Sequence, residues 1–134
     1  MIRFEYNTHV YYKDVDQMGI VYYNRYYEYF EAARTELLRK IGIDVTTIET
    51  SGYYLPVITS HCEYLSGAKF DDRLIVETVI RELPKLKLKI EYVVYREKNK
   101  EKLVTGHTIH VFTDKNGKPV RPPKDFLHQL NKVF

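Results

Sequence analysis

The segment Asp14–Arg34 reads DVDQMGIVYYNRYYEYFEAAR and decides how the rest of the chain is interpreted. It holds two aspartates, one glycine and five tyrosines, a mixture that neither a plain core helix nor a plain loop requires. From about Tyr22 to Ile41, apolar residues recur every three or four positions. The stripe consists of Tyr26, Phe30, Ala33, Leu37 and Ile41, widened by Tyr22, Tyr29 and Leu38. This period predicts one long amphipathic helix.

Both ends of this helix carry recognisable signals. Asn24 is a candidate N-cap, and Gly42 is expected to stop the helix at its C-terminus. Just before the helix, Gly19 gives the backbone freedom to turn and allows a ligand to approach closely.

The flanking sequence alternates in the manner of strands. Residues 2–12 place apolar side chains on even positions and predict a first strand, whereas 43–53 look irregular. Four further strands are predicted at 54–65, 72–83, 86–97 and 102–113. The turn signal Asn116-Gly117 closes this region, and a short C-terminal helix follows with Phe126, Leu127, Leu130 and Phe134 on its apolar side.

This order predicts an α+β protein in which a curved, five-stranded antiparallel sheet wraps around one long helix, with a short C-terminal helix. We expect residues 1–134 to form a single domain, as the length of 134 residues suggests. One helix covers only one face of such a sheet. Its other face and its edges therefore predict an oligomer.

Composition narrows the class of protein. The net charge is +3, from 21 basic and 18 acidic residues, which is too small to indicate a nucleic-acid-binding protein. The single cysteine, Cys62, excludes an internal disulfide and suits a reducing compartment. No signal peptide and no apolar run of membrane-spanning length is visible, so we expect a cytoplasmic protein that does not bind membranes.

Two blocks of sequence resemble a known family. The first is Tyr12-Lys-Asp-Val-Asp-Gln-Met-Gly-Ile-Val-Tyr-Tyr-Asn-Arg-Tyr26 followed by Phe30-Glu-Ala-Ala-Arg34. The second joins Leu55-Pro-Val57 to Gly67-Ala-Lys-Phe-Asp-Asp-Arg-Leu74. Together they are similar to the hot-dog-fold acyl-CoA thioesterases of the 4-hydroxybenzoyl-CoA thioesterase and YbgC type.

The resemblance implies hydrolysis of an acyl-CoA thioester without metal or organic cofactor, coenzyme A entering only as part of the substrate. It also implies a homodimer with two active sites at its interface, commonly paired into a homotetramer. The family's catalytic carboxylate stands at the position of Asp16. At the position of Tyr23 many YbgC-type members have histidine, so in this respect the sequence looks like the hydroxybenzoyl-CoA branch.

The chemistry explains why these residue types would occur together. Asp16 can attack the thioester carbonyl as a nucleophile or activate water as a general base. Unpaired amides at the start of a helix can stabilise the developing oxyanion. The candidate donors are the amides of Val21, Tyr22, Tyr23 and Asn24, with Tyr23 favoured.

Coenzyme A carries phosphates, so basic residues are expected near the mouth of the site. Lys85 and Lys87 lie where family members tend to carry such residues, and Lys69 is a third candidate. Thr59 is expected to reach the site from the other subunit. The alternative is that Lys85 and Lys87 simply face solvent on an alternating strand.

Other interpretations of the same residues remain open. Asp16 could cap a loop, and Asp14 is expected to serve as a hydrogen-bonding residue rather than a second catalytic acid. A hydratase or dehydratase acting on acyl thioesters is an alternative. The pattern of such enzymes has a histidine a few residues after the aspartate, and residues 17–25 contain none. A non-catalytic acyl-CoA-binding protein is another. The spacing of His61, His107 and His110 is that of strand residues and does not suggest a metal site.

Overall fold

A computed structural model describes all 134 residues. The strands are β1 Ile2–His9, β2 Val57–Tyr64, β3 Arg73–Ile80, β4 Lys87–Arg96, β5 Lys102–Thr113 and β6 Pro119–Val120. The main sheet is antiparallel with the strand order β1-β3-β4-β5-β2, and the short β6 pairs with β5. The helices are α1 Arg25–Lys40, α2 Val45–Thr50 and α3 Lys124–Val133. The predicted order of one strand, a long helix, four strands and a C-terminal helix is confirmed.

Helix α1 packs its apolar stripe against one face of the sheet. The ring of Phe30 stacks on Tyr92 of β4, with centroids 4.2 Å apart and an interplanar angle of 6°. Gly106 of β5 lies at the closest approach, since a Cβ added there would stand 2.8 Å from Phe30 Cε2 and 2.5 Å from the His61 carbonyl oxygen. Helix α1 approaches the sheet closely at this point because Gly106 has no side chain.

The helix begins later than its sequence pattern predicts. It starts at Arg25, while Tyr22 and Tyr23 lie outside it and are exposed. Asn24 occupies the N-cap position, but its backbone is already helical and its side chain makes no capping bond, so the predicted capping role is wrong. At the other end, Gly42 has a φ of +85°, which confirms its role as the stop.

Several other boundaries also differ. Residues 43–53 are not irregular throughout, because Asp44 caps helix α2 by accepting from the Thr46 amide at 2.9 Å. Strand β1 ends at His9, and Tyr12 stands in a short 3-10 turn where it is 77% exposed. Strand β6 adds a sixth strand to the five that were expected.

Strand β2 forms one edge of the sheet. It is hydrogen-bonded to β5 on one side only, and all its residues except Cys62 are exposed. In α3, Phe126 and Leu130 are buried, and the Phe126 ring packs edge-on against Phe112 of β5. None of the helices is both long and apolar enough to cross a membrane.

Candidate active site

Asp16 opens a tight turn that precedes helix α1. Its backbone amide donates to the Ile20 carbonyl at 2.9 Å, and the Gly19 amide donates to the Asp16 carbonyl at 3.0 Å. Gly19 has a φ of +79°, a conformation that favours glycine. One carboxylate oxygen of Asp16, Oδ1, accepts from the amides of Met18 at 2.8 Å and Ile20 at 3.4 Å. The other oxygen, Oδ2, accepts no hydrogen bond from the protein, so it is free to act on a ligand.

Asp14 has a different position. Its carboxylate is buried and accepts from the Tyr11 amide at 3.0 Å and the Tyr29 hydroxyl at 3.3 Å, with Arg25 Nε 4.0 Å away. Burial, reinforced by the Asp14 charge, raises the pKa of Tyr29, so this phenol remains a donor. Asp14 thus fastens the loop to the first turns of α1, which confirms its predicted hydrogen-bonding role.

The four amides expected to face the substrate divide into two pairs. The Val21 amide donates to the Ala68 carbonyl and the Tyr22 amide to the Asp14 carbonyl, each at 2.9 Å. Both are therefore engaged, and the expectation that they are free oxyanion donors is wrong. The amides of Tyr23 and Asn24 donate to no acceptor within the protein. They stand at the positive end of the α1 dipole, where an anion is stabilised.

A cleft of about 350 Å³ is lined by both Asp16 and Tyr23. Asp16, Tyr23 and Tyr26 contribute to one wall, and the other wall runs from Tyr64 to Gly67. The Tyr64 hydroxyl donates to the Tyr23 carbonyl at 3.1 Å, and the Ala68 amide donates to the Tyr26 hydroxyl at 3.2 Å. The cleft lies at the end of β2, beside the free edge of the sheet.

The wall containing Gly67 was not anticipated as part of the site. Arg96 at the end of β4 holds it, donating to the Gly67 carbonyl at 3.1 Å and to the carboxylates of Asp72 at 3.0 Å and Glu101 at 2.8 Å. The Asp72 carboxylate also accepts from the Lys69 amide at 2.9 Å. Asp72 therefore has a structural role in the second sequence block. Lys69 was the residue of this segment that was predicted from the sequence to lie near the site.

Only some of the residues predicted to contact coenzyme A lie near the cleft. The backbone of Lys69 forms an isolated antiparallel β-bridge with that of Ile20, so Lys69 lies beside the Asp16 turn. Its side chain is exposed. Thr59 lies exposed on the edge strand β2, as a residue that reaches a partner must.

Lys85 and Lys87 lie elsewhere. They occupy the connection into β4 and its first residue, whereas the cleft is near the other end of that strand at Arg96. Ten residues at about 3.3 Å each separate these ends by roughly 30 Å. Lys85 and Lys87 therefore do not lie at the mouth of the cleft of their own protomer, and their contact with coenzyme A stays a prediction.

The histidines of the sheet lie on opposite faces. His61 and His107 stack on the outer face with ring centroids 5.3 Å apart, and His61 Nε2 lies 3.3 Å from Glu63 Oε1. His110 is buried and packs toward α1.

Comparison with known proteins identifies the family. Residues 10–130 match the model of the thioesterase-like superfamily. The acyl-CoA thioesterase YbgC of Haemophilus influenzae is 41% identical over 81 residues, which span 60% of each chain. Among solved structures, the DHNA-CoA thioesterase of Staphylococcus aureus superposes with a TM-score of 0.92 at 26% identity, covering 99% of this chain and 91% of its own.

A second solved structure bears on the fold. A 4-hydroxybenzoyl-CoA thioesterase variant in complex with 4-hydroxybenzoyl-CoA superposes with a TM-score of 0.85 at 21% identity, covering 95% of this chain and 97% of its own. The hot-dog architecture expected from the sequence is thereby confirmed. The chain belongs to the thioesterase-like superfamily and is a thioester hydrolase.

Proposed function

We propose that this protein hydrolyses acyl-CoA thioesters in the cleft beside the Asp16 turn. One observation carries the proposal: Asp16, with its unpaired Oδ2, and Tyr23, with its unpaired amide, line the same cleft, and the unpaired Asn24 amide directly follows Tyr23. Thioester hydrolysis needs both a group that attacks or activates water and donors for the oxyanion. The relatives named for acyl-CoA hydrolysis support coenzyme A as the leaving group.

The Asp16 carboxylate has two possible roles. As a nucleophile, Oδ2 attacks the thioester carbonyl, the carbon–sulfur bond breaks, and water then cleaves the acyl–aspartyl anhydride to release the acid. As a general base, Asp16 takes a proton from water, hydroxide adds to the carbonyl, and the tetrahedral intermediate expels the thiolate, which is then protonated. Both routes consume one water and yield one carboxylic acid and one coenzyme A thiol.

The oxyanion in either route would be bound at the start of α1. The Tyr23 amide is the principal donor in this proposal, and Asn24 is the second. Losing one such donor typically lowers the rate by a factor of about 10²–10³. The coenzyme A thiolate is a good leaving group, so the reaction is proposed to need no metal and no organic cofactor.

We further propose that the working unit is a homodimer formed through β2 and paired into a homotetramer. An eight-residue edge strand with one unpaired backbone side is a ready surface for a second copy. Large apolar side chains are exposed on it and directly after it: Val57 is 41% and Ile58 47% exposed in the strand, and Leu65, the next residue after it, is 57% exposed. The cleft lies at the end of this edge, so Thr59, Lys85 and Lys87 of a partner subunit are candidate contacts for the substrate.

The decisive experiment compares two aspartates in equivalent turns. Asp114 opens a turn with the same bonds: its amide donates to the Lys118 carbonyl at 2.9 Å, and the Gly117 amide donates to its carbonyl at 3.0 Å. Its Oδ1 accepts from the amides of Asn116 at 2.9 Å and Lys118 at 3.0 Å. An asparagine keeps the accepting oxygen in either turn and replaces the other, charged oxygen by an NH2 group, so Asp114→Asn is a matched control for Asp16→Asn.

Thiol release is measured on a panel of aliphatic and aromatic acyl-CoAs. We expect Asp16→Asn to lower kcat by about 10²–10⁴ and Asp114→Asn to leave it within about twofold of wild type. Equal rates for Asp16→Asn and wild type would refute the assignment. Tight binding of every acyl-CoA without turnover by wild type would instead favour a binding protein.

A single turnover in ¹⁸O-labelled water separates the two chemical routes. Label enters the enzyme carboxylate only if Asp16 forms the anhydride and water attacks its aspartyl carbonyl, whereas the general-base route leaves the enzyme unlabelled.

A further inference from the structure

A second cavity of about 410 Å³ lies away from the Asp16 turn, between α1, α2 and the middle of the sheet. Its volume is within the range of small-molecule sites. Leu38, Ile48 and Ile90 supply apolar wall, and Arg34, Thr35 and His110 supply polar groups. Nothing in the hydrolytic proposal uses these residues.

A chain of buried hydrogen bonds runs behind the cavity. His110 Nδ1 lies 3.4 Å from the Leu55 carbonyl oxygen, which can only accept, so this nitrogen carries the proton. His110 Nε2 then accepts from the Thr108 hydroxyl at 2.9 Å, and Thr108 accepts from the Tyr92 hydroxyl at 2.7 Å. Every donor of this chain is consumed within it, so its neutral members offer no donor to a ligand.

Arg34 is the basic side chain that lines the cavity beside these neutral groups. Its guanidinium is half-buried and lies close enough to Tyr92 and His110 to act on both electrostatically. No carboxylate lies within 4.0 Å of it, in contrast to the ion-paired arginines of the same helix, Arg25 and Arg39. A half-buried guanidinium without an anionic partner is available to bind the carboxylate of a ligand.

The charges that face the cavity allow an anion to bind. Glu31 and Glu49 also line it, but both are exposed, so water screens their repulsion. His110 is neutral at physiological pH, because burial and the Arg34 charge lower its pKa to about 4. The hydroxyls of Thr35 and Tyr54 line the same space and make no hydrogen bond within the protein.

From these observations we propose that the cavity binds the carboxylate of a short organic acid, with Arg34 as its bidentate partner and the apolar wall around its hydrocarbon chain. The carboxylate has two possible sources: a free acid, such as a reaction product, or the distal carboxylate of an acyl group. The carboxylate site shares no residue with the Asp16 cleft, so it does not depend on whether Asp16 is the catalytic residue.

Binding is tested without turnover. Hexanoate and its neutral isostere hexanamide are titrated into the full-length protein, with calorimetry and the His110 ring signals in NMR as readouts. The variants are Arg34→Gln, Arg34→Lys and the matched control Arg39→Gln, which removes an exposed, ion-paired arginine from the same helix. Retained His110 signals and melting temperature verify that each variant is folded.

We expect wild type and Arg39→Gln to bind hexanoate alike and to shift the His110 signals. Arg34→Gln should bind at least about tenfold more weakly, since a charge-assisted bidentate pair contributes about 1.4 kcal/mol or more. Arg34→Lys should fall between the two, and hexanamide should bind wild type as weakly as hexanoate binds Arg34→Gln. Equal hexanoate affinity in wild type and Arg34→Gln, or equal affinity for the two probes, overturns the proposal.

A further arm separates the two sources. Adipoyl-CoA and hexanoyl-CoA differ by a distal carboxylate, and a selective loss of kcat/KM for adipoyl-CoA in Arg34→Gln assigns the site to the acyl group. An unchanged ratio beside Arg34-dependent hexanoate binding assigns it to a free acid. If Arg34→Gln weakens self-association and hexanoate binds neither protein, Arg34 pairs with a second copy and the carboxylate site is refuted.

Discussion

The buried imidazole of His110 predicts a specific pH dependence of stability. The side chain is 2% exposed, and burial, with the Arg34 charge as a second cause, lowers its pKa to about 4, from 6.5. The unfolded chain therefore binds a proton below about pH 6.5 that the folded protein refuses until about pH 4. The contribution is fully present above the unfolded pKa and is lost as the pH falls through this window.

The size of the effect follows from the two pKa values. Between about pH 7 and about pH 4.5, the linkage relation gives a loss of roughly 2 kcal/mol in the free energy of unfolding from this residue alone. Urea denaturation at fixed protein concentration measures it in wild type and His110→Gln across this pH range. His128→Gln, which removes an exposed imidazole from α3, is the control.

We expect the stability advantage of wild type over His110→Gln to shrink by about 2 kcal/mol as the pH falls, while the advantage over His128→Gln changes much less. The part of the advantage that does not depend on pH reports the lost hydrogen bonds to Thr108 and Leu55. A constant advantage over His110→Gln, or an NMR titration of folded His110 with its midpoint near pH 6.5, would refute the reasoning.

Three further predictions concern the fold, the assembly and the chemistry. Gly106→Ala should lower the free energy of unfolding by about 1–3 kcal/mol, because its Cβ would stand 2.5 Å from the His61 carbonyl oxygen; unchanged denaturation midpoints would contradict this. Ile58→Lys should lower the mass measured by light scattering by breaking the β2 edge, and an unaltered mass would exclude that interface. Hydrolysis should survive treatment with a metal chelator, whereas a loss restored by added metal would disprove the metal-free mechanism.

The long helix was predictable because its signal is local. The spacing of Tyr26, Phe30, Ala33 and Leu37 places these side chains on one face whatever the rest of the chain does, and all four are buried. The alternation of Leu88, Ile90 and Tyr92 fixes β4 in the same way. Helix α2 was missed because Val45–Thr50 is rich in β-branched residues with low helix propensity. Its Asp44 cap and the burial of Ile48 outweigh that propensity.

The candidate site shows where local sequence stops being informative. The turns at Asp16 and Asp114 share their bonds, and each contains a glycine with a positive φ, so local chemistry accounts for both conformations equally well. Family resemblance singled out Asp16, and the structure adds that its turn borders a cleft. Because Asp114 has the same hydrogen bonds, the turn alone does not identify a catalytic aspartate.

The order of elements, the amphipathic helix, the glycine turn and the family were all predictable from the amino-acid sequence, because they depend on the spacing of neighbouring residues. Which amides are free became visible in the folded chain, where distant Ala68 engages Val21 and where Tyr23 and Asn24 are left unpaired. The tertiary structure also separated Lys87 from the cleft by the length of a strand and placed Arg34 beside His110 without an anionic partner. The physical reason is that hydrogen-bond partners, burial and cavities are made by segments far apart in the chain, whose meeting no local pattern encodes.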